Sequence, residues 1–415
     1  MKIAIVGSGI AGLTCAYLLD RRHDVTVFEA SDWVGGHTHT VPVTVDGRQY
    51  AVDTGFIVFN DWTYPNFIRL LDQLGVASKA TEMSFSVSDP DTGLEYNGNN
   101  LNSLFAQRSN LWSPGFWGML RDILRFNKEA QRDLAERRIA SDMTLDDYLK
   151  AGGYGERFIL HYIVPMGAAI WSMPMAEMLK FPLQFFVRFF KNHGLLSVSN
   201  RPQWRVVEGG SSAYIAPLTE SFKDNIRLNC GVTRVERDEH GVFIHSPAGI
   251  EHFDKVVFAC HSDQALQLLA SPSAAERSIL GALPYADNEV VLHTDTGLLP
   301  TRKLAWASWN YRLGGAGHTQ AAVTYDMNIL QGIQSDTTFC VSLNQSAGIS
   351  PDKILARFTY AHPQYSLAAV AAQQRWSELD GVAHTHYCGA YWANGFHEDG
   401  VVSALRVARS FGETL

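Results

Sequence analysis

The residues best placed to do chemistry lie within the first thirty. Gly7-Ser8-Gly9-Ile10-Ala11-Gly12 has the spacing G-x-G-x-x-G, between the apolar run Lys2-Ile3-Ala4-Ile5-Val6 and a helical pattern over 11–19. Gly7 allows a tight turn, Gly9 lets main chain approach a pyrophosphate, and Gly12 lets helix and strand pack closely. Ile10 and Ala11 open the helix, whose unpaired N–H groups and dipole favour an anion. Glu29 closes the next strand-like run, Asp24-Val25-Thr26-Val27-Phe28. A carboxylate there accepts from both hydroxyls of a ribose and repels a 2′-phosphate. The glycine pattern alone is weak; together with Glu29 it predicts a bound dinucleotide.

Four further segments narrow the cofactor. Glu29-Ala30 is followed by Gly35-Gly36-His37-Thr38-His39-Thr40, then by Asp53-Thr54-Gly55-Phe56. Later come Gly231-Val232-Thr233-Arg234-Val235 and Cys388-Gly389-Ala390, with Asn394-Gly395-Phe396-His397-Glu398-Asp399-Gly400 after it. Together they resemble the flavin-containing amine oxidase superfamily, which includes monoamine and polyamine oxidases, protoporphyrinogen oxidase and phytoene desaturases. The resemblance implies FAD as cofactor. It also implies an α/β fold in which a Rossmann-type FAD-binding domain is interleaved with a substrate domain carrying a mixed sheet and a helical insertion.

By the same resemblance, Gly35, Gly36, His37 and Thr38 approach the diphosphate and flavin, with His37 where arginine is usual. Gly55 and Phe56 form a turn beside the flavin, and the main chain at Val232 meets the adenine. Gly389, Ala390, His397 and Glu398 belong to the C-terminal flavin segment. Its closing helix aims N–H groups at the ring edge where negative charge develops on reduction.

The catalytic side is less legible. Many amine oxidases of the superfamily place a lysine near the flavin; Val290-Val291-Leu292-His293 occupies that stretch here, with His293 as the candidate. A neutral imidazole could relay a proton, although a lone histidine is more often structural. Phe396 falls where amine oxidases with an aromatic cage carry tyrosine, offering an apolar wall without a hydroxyl. His397 is a further candidate near the flavin. No metal site is expected.

The phrases Trp306-Ala307-Ser308-Trp309-Asn310-Tyr311 and Thr324-Tyr325-Asp326-Met327-Asn328, with Gly389-Ala390-Tyr391-Trp392, resemble a narrower group. These are bacterial FAD proteins encoded beside cyclopropane-fatty-acid-synthase-like methyltransferases, and the N-terminal half of plant cyclopropane synthases. The resemblance implies an oxidoreductase that removes hydride from an apolar substrate, such as an unsaturated or methylated fatty acyl chain of a phospholipid, with a methyltransferase as partner. Two alternatives stay open: an amine oxidase producing imine and hydrogen peroxide, and an FAD-bearing scaffold or isomerase.

Periodicity predicts the strands and helices that carry these residues. The chain opens as a βαβ unit, and Val43 to Tyr50, with Asp46-Gly47 at its centre, reads as a hairpin. Thr144-Leu145-Asp146-Asp147 looks like a capping box before a helix that Gly152-Gly153 ends. The expected division is an FAD-binding domain over 1–60, 201–285 and 361–415, a helical insertion over 61–200, and a sheet-bearing part over 286–360. Two aromatic stretches, Phe116 to Leu124 and Phe181 to Phe190, suit packing or tunnel lining better than a lipid interface, with peripheral membrane contact left open.

Composition sets the outer bounds. The 415 residues allow two or three lobes at about 100 to 200 residues each. Hydrophobic residues make up 46% and charged residues 18%, as in a folded chain. A formal charge of -8 gives no electrostatic footprint for nucleic acid. The five cysteines are scattered and read as reduced thiols. A strand starting at Lys2 leaves no room for a signal peptide, and no run approaches the roughly 18 apolar residues of a membrane span. A cytoplasmic protein is therefore expected.

Overall fold

Lys2–Val6, apolar after its first residue, has the composition of a strand covered on both faces. In the computed structural model, which describes residues 1–314 and 321–415, it lies at the centre of a five-stranded sheet. Asp24–Phe28 and Lys255–Phe258 flank it, and Ile226–Arg227 and Thr385–Tyr387 form the edges. All four pairings are parallel, so every strand ends on the same side. Strand ends of such a sheet form the usual crevice for a nucleotide. The strands come from three separate stretches of chain, so the sheet is assembled from distant parts of the sequence.

Helix Ile10–Leu19 leaves the first strand through the glycine turn and is buried along nearly its whole length. The closing helix, His397–Ser410, packs against its N-terminal end. A Cβ on Gly400 would lie 2.7 Å from Ile10 Cγ2, so glycine permits the approach.

A seven-stranded sheet forms the second lobe, in the order Ile354–Pro363, Tyr285–His293, Cys340–Leu343, Val323–Asp326, Trp309–Arg312, Phe85–Asp89, Leu94–Asn97. It is mixed, because Trp309–Arg312 pairs parallel with Phe85–Asp89 and the other pairings are antiparallel. Residues 315–320, within the expected 286–360 span, lie outside the described residues.

Two strands of this sheet, Phe85–Asp89 and Leu94–Asn97, fall within the 61–200 stretch expected to be a helical insertion. Phe85-Ser86-Val87-Ser88-Asp89 alternates with period two, and Pro90-Asp91-Thr92-Gly93 supplies a turn. This short signal sits among longer helical patterns. Beyond the hairpin the insertion is largely helical, built on Pro114–Ala135, Val164–Trp171 and Leu183–Asn192. On the last of these, Phe186, Phe189 and Phe190 are buried, and the rings of Phe186 and Phe190 stack at 4.0 Å. That aromatic stretch is core. Helix Pro114–Ala135 buries Phe116 and Met119 but leaves Trp117 and Leu124 exposed.

Local signals held where they were strong. Val45 faces Arg48 across a two-residue turn, with Asp46 at φ 50° and Gly47 at φ 73°. Those two positive φ values make the turn that matches hairpin twist. Thr144 caps helix Leu145–Ala151 through the Asp147 N–H, and Asp147 bonds back to Thr144.

Candidate active site

At the glycine loop the three glycines are required for different reasons. A Cβ on Gly12 would fall 2.0 Å from the Gly7 carbonyl oxygen, and Gly7 has φ +105°. A Cβ on Gly9 would meet nothing within 4 Å, so its main chain borders open space at the head of helix Ile10–Leu19. Gly35 forms a parallel bridge with Gly9, and a Cβ on Gly36 would stand 3.2 Å from Gly9 Cα. Ile10 and Ala11 are the first helical residues.

Glu29 is buried beside the same loop. Its Oε2 accepts from the Ser8 N–H at 2.9 Å and the Ser8 hydroxyl at 2.6 Å, and its Oε1 accepts from the Ser31 N–H at 2.8 Å. The chain after Ile226–Arg227 passes alongside, with the Cys230 N–H donating to the Glu29 carbonyl at 2.8 Å. That path brings Gly231 against Ala30, where a Cβ on Gly231 would lie 3.1 Å from Ala30 Cβ, and places Val232 one residue beyond.

Three residues distant in sequence meet at the head of the closing helix. Thr38 Oγ1 lies 2.9 Å from His397 Nε2, and the Phe56 ring stacks on His397 at 3.4 Å. Tyr214, which no motif marked, completes the group at 2.6 Å from Thr38 Oγ1 and 3.1 Å from His397 Nε2. Burial holds the His397 imidazole well below its ordinary range, so it is neutral. Gly55 carries its turn against His37, where a Cβ would lie 2.2 Å from the His37 carbonyl oxygen. Gly389 donates its N–H to Ser403 Oγ at 2.9 Å, and Ala390 accepts from the Gly395 N–H at 3.1 Å. Both therefore brace the turn that leads into the closing helix.

Glu398 faces another way. Its carboxylate accepts from the Asn66 and Phe67 N–H groups at 3.1 and 2.9 Å, capping helix Pro65–Leu74. Toward the glycine loop it can present only main chain. His37 sits among His261, His362 and Tyr360, with ring centroids at 6.3, 5.4 and 5.2 Å. Burial, then the neighbouring His261, lowers His37 to about 4, so it carries no charge where arginine would. The partners His261 and His362 come from other segments and gave no sequence signal.

His293 is not brought to this group. It is fully buried in strand Tyr285–His293, where its Nδ1 accepts from the Asp295 N–H at 3.1 Å and its Nε2 lies 2.8 Å from Ser342 Oγ. Both ring nitrogens are thus engaged, one by the chain just beyond its own strand and one by the neighbouring strand.

Between the two lobes lies a cavity of about 150 Å³ that opens to solvent. Its wall is mostly apolar: Met83 and Phe85 from the hairpin, Met166, Ile170 and Phe189 from the helices, Trp309 from the sheet. Phe396, immediately before the closing helix, lines it and stacks 5.1 Å from Phe189. His193 also lines it; its Nδ1 donates to the Phe189 carbonyl at 2.9 Å, and burial lowers it to about 4. Among the described residues no aspartate, glutamate or lysine lines the wall.

The model for the family of flavin containing amine oxidoreductases matches residues 10–305. The chain belongs to that family. Its members are FAD-dependent oxidoreductases, so FAD is the cofactor and the amine oxidase-like α/β fold is accounted for. The 15-cis-phytoene desaturase of Synechococcus elongatus is 36% identical over 88 residues, a match covering 21% of this chain and 18% of that protein. The chain thus matches less than a fifth of that relative's length. Among solved structures, the fatty acid isomerase from P. acnes that produces CLA superposes with a TM-score of 0.69 at 16% identity, covering 99% of this chain and 98% of that one. Cyclohexylamine oxidase from Brevibacterium oxydans superposes at 0.67 with 16% identity, covering 99% of both. Identities this low establish a shared fold.

The residues of this family member fit FAD on their own geometry. Open space fronts Gly9, a buried Nε2 of His37 has no partner among the described residues, and the first turns of helices Ile10–Leu19 and His397–Ser410 meet at Ile10 and Gly400. Orphaned N–H groups at a helix start are where a diphosphate belongs.

Proposed function

We propose that this protein is an oxidoreductase that removes hydride from an apolar substrate, an unsaturated or methylated fatty acyl chain of a phospholipid, with FAD as acceptor. One observation carries the reading: the cavity that ends on Phe396 has a mostly apolar wall with no carboxylate among the described residues. An acyl chain loses nothing on entering such a wall and gains roughly 0.8 kcal/mol per buried CH2. A substrate ammonium would find no counter-ion there and would lose its hydration uncompensated.

When bound, FAD supplies the two-electron acceptor. The glycine loop, with Ile10 and Ala11 at the helix start, would hold its diphosphate. Glu29 and Ala30 would hold the ribose, and Val232 the adenine. Gly35, Gly36, His37, Thr38, Gly55, Phe56, Gly389, Ala390 and the Glu398 main chain would surround the rest. Phe396 would orient the substrate, and His397 would hold the head of the closing helix in place through Thr38 and Tyr214.

Peripheral contact with a lipid surface belongs to the same reading. Leu101, Leu111, Trp112 and Trp117 are exposed on the segment after Asn99, a cavity-lining residue. No helix among the described residues is long and apolar enough to cross a membrane. A lipid methyltransferase partner is supported by the sequence resemblance alone.

The test is an anaerobic spectrum of the yellow holoprotein before and after adding phospholipids with unsaturated or methylated acyl chains, with an amine panel in parallel. Bleaching by lipid and not by amines is expected. Bleaching by amines alone would overturn the reading, and no bleaching by either would favour a scaffold.

A further inference from the structure

Among the described residues the cavity wall carries a single formal charge, the guanidinium of Arg201. Arg201 lies in the loop between helix Leu183–Asn192 and strand Trp204–Val207. It is exposed, and of the lining residues only Gly98 and Asn99 share that exposure. These three therefore mark the mouth, while Phe396, beside the closing helix, marks the inner end.

The guanidinium is held but not satisfied. Its Nε donates to the Ser197 carbonyl at 2.7 Å, which fixes the side chain's direction. Among the described residues no carboxylate lies within ion-pair distance, and its two terminal nitrogens make no hydrogen bond. The side-chain amide of Asn99 likewise has no protein partner among them. A planar fork with two free donors suits one chemistry above others, the paired oxygens of a carboxylate or phosphate.

We propose that Arg201, with Asn99 on the same exposed part of the cavity wall, is a specificity residue that takes the anionic head of the substrate, so that the apolar tail runs inward to Phe396. This rests on the acyl-chain reading and adds an orientation to it. A chain tethered at the mouth presents one stretch of its length at the inner end, so Arg201 sets which carbons are exposed to oxidation. The head is a carboxylate if the substrate is a free fatty acid and a phosphate if it is a phospholipid.

Binding decides this without turnover. Trp204 and Trp309 line the cavity, so their fluorescence reports ligand entry into the holoprotein. Oleate, methyl oleate and oleoyl lysophosphatidate, each below its aggregation concentration, would be titrated into the wild type, Arg201→Gln and Arg201→Lys. The wild type should bind an anionic probe at least about tenfold tighter than methyl oleate, as a charge-assisted bidentate contact implies. Arg201→Gln should erase that preference and leave methyl oleate unchanged, with Arg201→Lys between them. Tighter binding of oleate assigns a free acid, and tighter binding of lysophosphatidate assigns a phospholipid. Equal affinity for acid and ester in the wild type, or loss of both in Arg201→Gln at unchanged FAD content, would overturn the role of Arg201 and leave the acyl-chain reading standing. No binding of any probe would overturn the acyl-chain reading itself.

Discussion

At Phe396 and His293 the surroundings of a single ring decide what it can do. Phe396 packs against Phe189 in an apolar wall, so a hydroxyl added there would be buried among carbon. Phe396→Tyr should lower kcat/KM for a lipid substrate by about tenfold, the cost of an unpaired hydroxyl. Unchanged lipid kinetics would take Phe396 out of the substrate's path. His293 accepts the Asp295 N–H on Nδ1, so its proton sits on Nε2 toward Ser342. Burial lowers it from 6.5 to about 4. As pH falls the unfolded chain takes the proton first, so the stability His293 contributes is complete above 6.5 and is lost on the way down to about 4. His293→Gln should cost about 1–3 kcal/mol of stability at neutral pH. It should also flatten the fall of Tm with acid and spare kcat. Lost turnover at a wild-type Tm would instead make His293 a proton relay. Sequence position placed His293 near that role, but its partner Ser342 sits on a neighbouring strand and no local pattern announces the pair.

Elements differ in how much of their role is local. The turn at Asp46-Gly47, the Thr144 capping box and the glycine loop are each specified within a few residues, and each formed as the residues imply. The hairpin Phe85–Asp89 and Leu94–Asn97 was harder to read because its partner strand, Trp309–Arg312, lies more than two hundred residues on. The glycine loop allows a clean separation of folding from cofactor binding. Gly9 already has φ -68°, and no protein atom lies within 4 Å of a Cβ placed on it. Gly9→Ala should therefore leave the circular dichroism of the protein unchanged while the purified protein loses its yellow colour. Full FAD occupancy in that variant would move the diphosphate elsewhere. Gly12→Ala offers no such separation, because the new methyl would strike the Gly7 carbonyl.

For the whole molecule, the placement of the cavity mouth next to an apolar surface makes a prediction about location. Trp112 is 87% exposed and Trp117 50% exposed, with Arg108, Arg121 and Lys128 also exposed nearby. Apolar and aromatic side chains beside basic ones suit an anionic lipid surface. Trp112→Ser with Trp117→Ser should reduce co-sedimentation with anionic vesicles by about tenfold while FAD content stays full. Equal sedimentation would separate this segment from any lipid contact. The dinucleotide loop, the acidic residue beyond it and the family were all legible in the residues alone, because each glycine there answers a constraint set by its immediate neighbours. Helical spacing favoured packing or tunnel lining for the two aromatic faces, although Trp117 and Leu124 stay exposed. What those faces enclose emerged only when the lobes came together. The cavity, the Thr38–Tyr214–His397 group and the neutral state of His37 all depend on segments far apart in the chain, and burial, which sets the chemistry of those side chains, belongs to the folded whole; the placing of exposed Arg201 at the cavity mouth is likewise tertiary.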